Sequence, residues 1–328
     1  MKRTTCLSII VPLYNEAESV ALLHERLYGV LQEQERSFEI IYVDDGSTDG
    51  TIDQLRTLVE QGQHTRAIQL RRNFGQTAAI AAGVDASRGE TLIFMDGDLQ
   101  NDPVDIPHLL AKLDEGYDVV SGWRKKRRDA PISRKLPSLL ANRLISYVTG
   151  VHLHDYGCTL KAFRWEVFQH MRLYGEMHRF LPAYAALVGA SIAEIEVAHH
   201  PRRFGVSKYG ISRTVRVILD MLTVKFMGRY ATRPLHAFGL TGLLMLILAL
   251  GIMVTALTRA AFSRSSASMG AASSNALLLL GLTLQCLMSG LSAEMLTRIY
   301  YESQRKPVYT IKAVFPALAR AEGEEEAA

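Results

Sequence analysis

Cysteine is scarce. Cys6, Cys158 and Cys286 are the only three in 328 residues, scattered and without metal-ligand spacing. Such an odd, dispersed set gives no disulfide framework and fits a reducing compartment. Also missing are a G-x-G-x-x-G turn and a Walker loop, which argues against a dinucleotide oxidoreductase or a kinase. Neither sign of charge dominates: a formal net charge of +4 is too small to argue for nucleic acid, and no such partner is expected. No signal peptide is expected either. After the basic Lys2 and Arg3 the apolar run ends within a few residues at Pro12, Leu13, Tyr14, Asn15 and Glu16, with no small-residue cleavage site.

Charge is absent altogether from one long stretch, 235–257, which contains no Asp, Glu, Lys or Arg. At ~1.5 Å per residue it is long enough to cross a ~30 Å hydrocarbon layer. A second run of this kind covers 276–293. The expected organisation is therefore a domain of soluble character over 1–210, an amphipathic membrane-surface helix over 211–234, a transmembrane helix over 235–257, a loop over 258–275, a second transmembrane helix over 276–297, and a tail over 298–328 that is disordered at its glutamate-rich end. Lys225, Arg229 and Arg233 precede the first span and Arg298, Arg305, Lys306 and Lys312 follow the second, against Arg259 and Arg264 in the loop. That bias places the 1–210 domain and both termini on the cytoplasmic face of the inner membrane. Small residues around Gly239, Gly242, Gly281 and Gly290 favour close helix contact and hence a homo-oligomer.

The first 210 residues alternate apolar runs with helical patterns. Strands are expected over 7–11, 39–43, 67–70, 91–95, 118–122 and 192–198, and helices over 17–33, 51–61, 76–86 and 133–149. This alternation predicts an α/β fold with a mainly parallel sheet flanked by helices, which binds ligands beyond the carboxyl ends of its strands. Three of those ends are polar: Tyr14, Asn15 and Glu16; Asp44, Asp45, Gly46 and Ser47; Asp96, Gly97 and Asp98. Asp96, Asp98 and Gln100 offer hard oxygen ligands to Mg²⁺ or Mn²⁺. Taken alone, the two aspartates read equally well as helix-capping residues before Pro103. Basic groups concentrate at 124–128, at Arg134 and Lys135, and at Arg202 and Arg203, where they suit anionic lipid or phosphate as well as a solvated loop. His152 and His154 have no further partner in the sequence and read as a surface pair.

The segments Val11-Pro12-Leu13-Tyr14-Asn15-Glu16 and Val43-Asp44-Asp45-Gly46-Ser47-Thr48-Asp49-Gly50-Thr51 together resemble the opening of the family 2 glycosyltransferases, inverting enzymes of GT-A fold. Asp96-Gly97-Asp98-Leu99-Gln100 looks like the variant carried by the polyprenyl-phosphate branch, which includes relatives of dolichol-phosphate mannose synthase and of bacterial undecaprenyl-phosphate glycosyltransferases. The likeness continues through Ser121-Gly122-Trp123-Arg124, Arg134 with Ser138, Asp155-Tyr156-Gly157-Cys158, 178–182 and 202–209. Gly97 departs from it, since many members carry Ala there.

The resemblance implies a nucleotide-sugar donor, with Pro12, Tyr14 and Glu16 along the base and ribose and Asp45 bonded to the base; Asp44 either joins it or caps the turn. It implies transfer of one hexose to a polyisoprenyl phosphate at the bilayer surface, with inversion. Arg124, Arg134, Ser138, Arg202 and Lys208 are the candidates to hold the acceptor phosphate, Arg because its planar fork bonds two phosphate oxygens at once. Asp155 occupies the place where soluble relatives activate a hydroxyl. A phosphate acceptor makes that role unnecessary, so Asp155 is expected to orient sugar hydroxyls. A processive polysaccharide synthase is disfavoured by the lack of a Gln-x-x-Arg-Trp segment, and a non-catalytic membrane scaffold by a complete set of acidic and basic site residues.

Overall fold

The structure is a computed structural model that describes residues 5–62, 64–125, 142–143, 145–147, 149–169, 171, 173–175, 177–201, 203–204, 223–226, 243–244, 247–248, 250–252, 254–255, 258, 267–304 and 306–316. The chain divides into two units, 1–221 with 307–328, and 222–306.

In the first unit the four leading apolar runs become parallel strands β1 (Thr5–Leu13), β2 (Phe38–Asp44), β3 (Thr65–Leu70) and β4 (Gly89–Phe94). They are joined by helices α1 (Val20–Gln32), α2 (Thr51–Gln61) and α3 (Gln76–Ala86). β2 is buried at every position, as expected of a central strand covered on both faces. Helix α4 (Ile106–Asp114) leads to β5 (Val119–Trp123); β6 (Lys161–Arg164), α5 (Trp165–Gln169), α6 (Leu181–Leu187) and β7 (Ile192–Glu196) follow. The sheet order is β7-β5-β6-β4-β1-β2-β3-β8, where β8 is Ile311–Phe315. β6 and β8 run against the other strands. On one face Leu23, Leu27 and Leu31 of α1 pack against Ile9, Val11 and Ile40 in the main core.

Two strands were not anticipated. β6 follows Tyr156, Cys158 and Leu160, and its lysine and arginine obscured the apolar signal. β8 corrects the expected tail: part of 298–328 returns to the sheet and pairs with β3.

In the second unit, helix α7 spans Ala267–Gln304 and so extends beyond the expected 276–297 span at both ends, taking up part of the expected 258–275 loop. Among the described residues no helix is long and apolar enough to cross a membrane. Most of the 211–234 helix and much of the 235–257 span lie outside the described residues, as does the end of the tail.

Candidate active site

The carboxyl ends of β1, β2 and β4 meet because these strands are parallel neighbours in register: Leu13 lies opposite Asp44, and Ile10 opposite Phe94. Beyond β1 and β2 the two turns are sewn together. Asn15 N donates to Ser47 Oγ at 2.8 Å, Glu16 N to Thr51 Oγ1 at 2.9 Å, and Thr48 N to the Asn15 side-chain oxygen at 2.8 Å. Asn15 has φ 54°, a left-handed conformation that its short polar side chain tolerates. Pro12, Tyr14 and Glu16 are half-buried along this edge, and Glu16 Oε2 accepts from Ser19 Oγ at 2.9 Å.

Asp44 and Asp45 are both buried. Asp44 Oδ1 accepts from Ser47 N at 3.1 Å and closes the turn. Asp45 accepts two main-chain bonds, from Phe74 N at 2.7 Å and Gly75 N at 2.9 Å. Burial raises the pKa of each carboxyl, and these N–H bonds work in the opposite direction. Gly46, at φ +72°, must be glycine for a second reason: a Cβ there would lie 2.5 Å from the Arg72 carbonyl carbon.

Beyond β4, Asp96 is held by side chains. Gln76 Nε2, at the start of α3, donates to Oδ1 at 2.7 Å, and Thr159 Oγ1 donates to Oδ2 at 2.6 Å. Asp98 is 7% exposed and accepts from Gln100 N at 3.1 Å. Leu99 between them has φ 60°, unusual for a bulky side chain, and its side chain is buried. Burial and the neighbouring Asp98 charge push Asp96 up to about 6. Two crowded carboxylates of this kind fit a divalent cation, which would relieve their repulsion. Among the described residues no three His, Cys, Asp or Glu side chains cluster to hold a metal. Two carboxylates match Mg²⁺-type sites completed by substrate phosphates.

Arg124, just past β5, forms a two-pronged pair with Asp155: Nε to Oδ2 at 2.7 Å and Nη2 to Oδ1 at 3.0 Å. Their side chains are 11% and 4% exposed. Burial works against the Arg124 charge, but the bonds and attraction from Asp155 outweigh it and its pKa rises. Asp155 is thereby committed to a cation, a partnership the sequence did not reveal. The attraction of Arg124 also reaches Asp96. His154 Nδ1 lies 2.7 Å from Glu194 Oε2 and the ring stacks on Trp123 at 4.1 Å.

Three participants were missed in the sequence. Gln76 and Thr159 reach Asp96 from distant segments. Lys161 is buried at the start of β6, where Nζ donates to the carbonyls of Cys158 and Tyr156. Burial lowers the Lys161 pKa. A lysine after an apolar leucine gives no signal of this; its placement depends on β6 pairing with β4 and β5. Arg134, Ser138, Arg202 and Lys208 lie outside the described residues.

Residues 8–172 match the model of glycosyl transferase family 2. A dodecaprenyl-phosphate galacturonate synthase of Rhizobium johnstonii is 45% identical over 319 residues, covering 94% of this chain and 93% of that protein. An undecaprenyl-phosphate 4-deoxy-4-formamido-L-arabinose transferase of Klebsiella pneumoniae is 36% identical, covering 97% and 96%. Among solved structures, a glucosyl-3-phosphoglycerate synthase of Mycobacterium tuberculosis in complex with Mn²⁺ and UDP-glucose superposes with a TM-score of 0.52 at 16% identity, over 68% of this chain and 79% of that one. The mannosyl-3-phosphoglycerate synthase of Rubrobacter xylanophilus gives 0.55 at 15%, over 68% and 74%. These two likenesses concern the GT-A fold alone.

Proposed function

The chain belongs to glycosyl transferase family 2, and from that membership we propose that it moves one sugar from a UDP- or GDP-hexose to the phosphate of a polyisoprenol such as undecaprenyl phosphate, with inversion at the anomeric carbon. The product is a lipid-phosphate-linked sugar for envelope glycan or glycoconjugate synthesis. The observation that carries this reading is the adjacency of two opposite sites: the paired carboxylates of Asp96 and Asp98, suited to a cation, beside Arg124, suited to a phosphate.

In the reaction an oxygen of the lipid phosphate forms a bond to the anomeric carbon. The bond from that carbon to the β-phosphate breaks, and the nucleoside diphosphate leaves with the electron pair. A phosphate monoester with a second pKa near ~6 is largely dianionic at neutral pH and needs no general base. Asp96 and Asp98 with Gln100 would hold a divalent ion, Mg²⁺ or Mn²⁺, which would supply charge stabilisation for the departing diphosphate. Pro12, Tyr14, Glu16, Asp44 and Asp45 line the nucleoside. Arg124 holds phosphate with Arg134, Ser138, Arg202 and Lys208, while Asp155 keeps the Arg124 fork aimed.

Uncharged runs at 235–257 and 276–293 support two spans in the cytoplasmic membrane, with the catalytic domain on the cytoplasmic side, where the acceptor headgroup lies; the small residues along them support a homo-oligomer. To test the function, membranes bearing the protein are incubated with radiolabelled UDP- and GDP-sugars and undecaprenyl phosphate, and the lipid products are resolved. A single labelled, mild-acid-labile lipid is expected. Label in polymer, or in no lipid at all, would refute the reading.

A further inference from the structure

The returning segment 309–315 has no part in the reaction as described, yet its leading end is fastened to the segment that carries donor-site groups. Strand β8 pairs with β3 from Ala67↔Phe315 to Leu70↔Ile311, with an irregularity between Gln69 and Leu70. One residue further, Arg71 N donates to Thr310 O at 2.9 Å. Tyr309, itself buried, donates from Oη to Asp85 Oδ2 at 2.8 Å near the end of α3. At the other end of the strand, the Arg56 guanidinium of α2 sits over the Phe315 ring at 4.9 Å.

Between the Arg71 and Asp85 attachments lie the functional groups. Phe74 N and Gly75 N bind Asp45, the backbone of Arg72 and Asn73 rests against Gly46, and Gln76 opens α3 and binds Asp96. The Thr310–Arg71 bond continues the β3–β8 ladder, but a strand added merely to cover the β3 edge would not need the Tyr309–Asp85 bond. We propose that the 309–315 segment is a positioning element of the donor site, fastening both ends of the 71–86 loop and helix so that its two main-chain N–H groups stay on Asp45 and Gln76 stays on Asp96. The segment follows α7 by a few residues, so the donor site is braced by chain that lies after the expected membrane region in the sequence. The consequence for nucleotide binding rests on the donor reading given above; the bracing itself does not.

The test uses the full-length protein with Tyr309→Phe, which retains the ring and removes the hydroxyl, Asp85→Ala, and the conservative Asp85→Asn. Hydrogen exchange is followed at 71–76 and, as a control, in α1. Affinity for UDP and for GDP is measured with Mn²⁺ present, and the apparent KM for undecaprenyl phosphate alongside. Tyr309→Phe and Asp85→Ala are expected to speed exchange at Phe74 and Gly75 roughly fivefold and to weaken the nucleotide that the wild type binds by a similar factor, consistent with one lost hydrogen bond. The α1 control and the acceptor KM stay unchanged, and Asp85→Asn stays near wild type. Unchanged exchange at 71–76, exchange that rises equally in α1, or faster exchange with unaltered nucleotide affinity would each overturn the proposal. If the wild type binds neither UDP nor GDP, the donor reading fails and the exchange data alone decide the bracing.

Discussion

Asp45 and Asp96 both follow parallel strands at the same edge of one sheet, and the protein satisfies them by different means. Asp45 is met by two main-chain N–H groups, Phe74 and Gly75, fixed by the fold. Asp96 is met by two side chains, Gln76 and Thr159, and stands beside a second carboxylate that raises its pKa. Main-chain donors cannot leave without unfolding a loop, whereas side-chain donors can rotate away. The first arrangement suits a permanent shape, the second an exchangeable ligand. In the proposed function this difference makes Asp45 part of the framework of the nucleoside cradle and Asp96 part of the seat of the cation.

Asp96→Asn separates the two most sharply. Sugar transfer is expected to fall about a thousandfold, the scale of losing a group that stabilises developing charge, while thermal stability is retained because a like-charge contact has gone. Loss of folding together with activity would erase the distinction. Next in size, Asp155→Asn leaves the Arg124 guanidinium buried without its counter-charge, and denaturant titration should show roughly 3–5 kcal/mol of lost stability. Asp45→Asn should produce the reverse of Asp96→Asn: an amide nitrogen set against a main-chain N–H costs about 1–3 kcal/mol, with any loss of transfer seen in donor KM more than in kcat.

Gly97→Ala is the smallest change. The new Cβ would come 2.1 Å from Leu13 Cδ2, the movable end of a side chain, so the cost is about 1 kcal/mol with kcat nearly unaltered. In this chain Leu13 fills the space beside Gly97.

Much of this could be read in the sequence because it is local. Apolar runs ending in Asn15, Asp45 or Asp96 mark strand ends, and strand-helix alternation makes those ends neighbours. What escaped depends on partners far along the chain. Gln76 and Thr159 converge on Asp96, Asp155 pairs with Arg124, and Lys161 is buried only because an antiparallel strand enters beside β4. The 311–315 segment, short and followed by a glutamate-rich tail, gave no sign of the edge it would join. Its partner strand ends some 240 residues earlier, a pairing that no short-range pattern encodes.

The most direct test of the account is sugar transfer to undecaprenyl phosphate by wild type and Asp96→Asn after stripping with EDTA, followed by titration with Mn²⁺. The account predicts that the wild type loses activity and regains it with Mn²⁺ while Asp96→Asn does not recover. Undiminished transfer by the stripped wild type would contradict it.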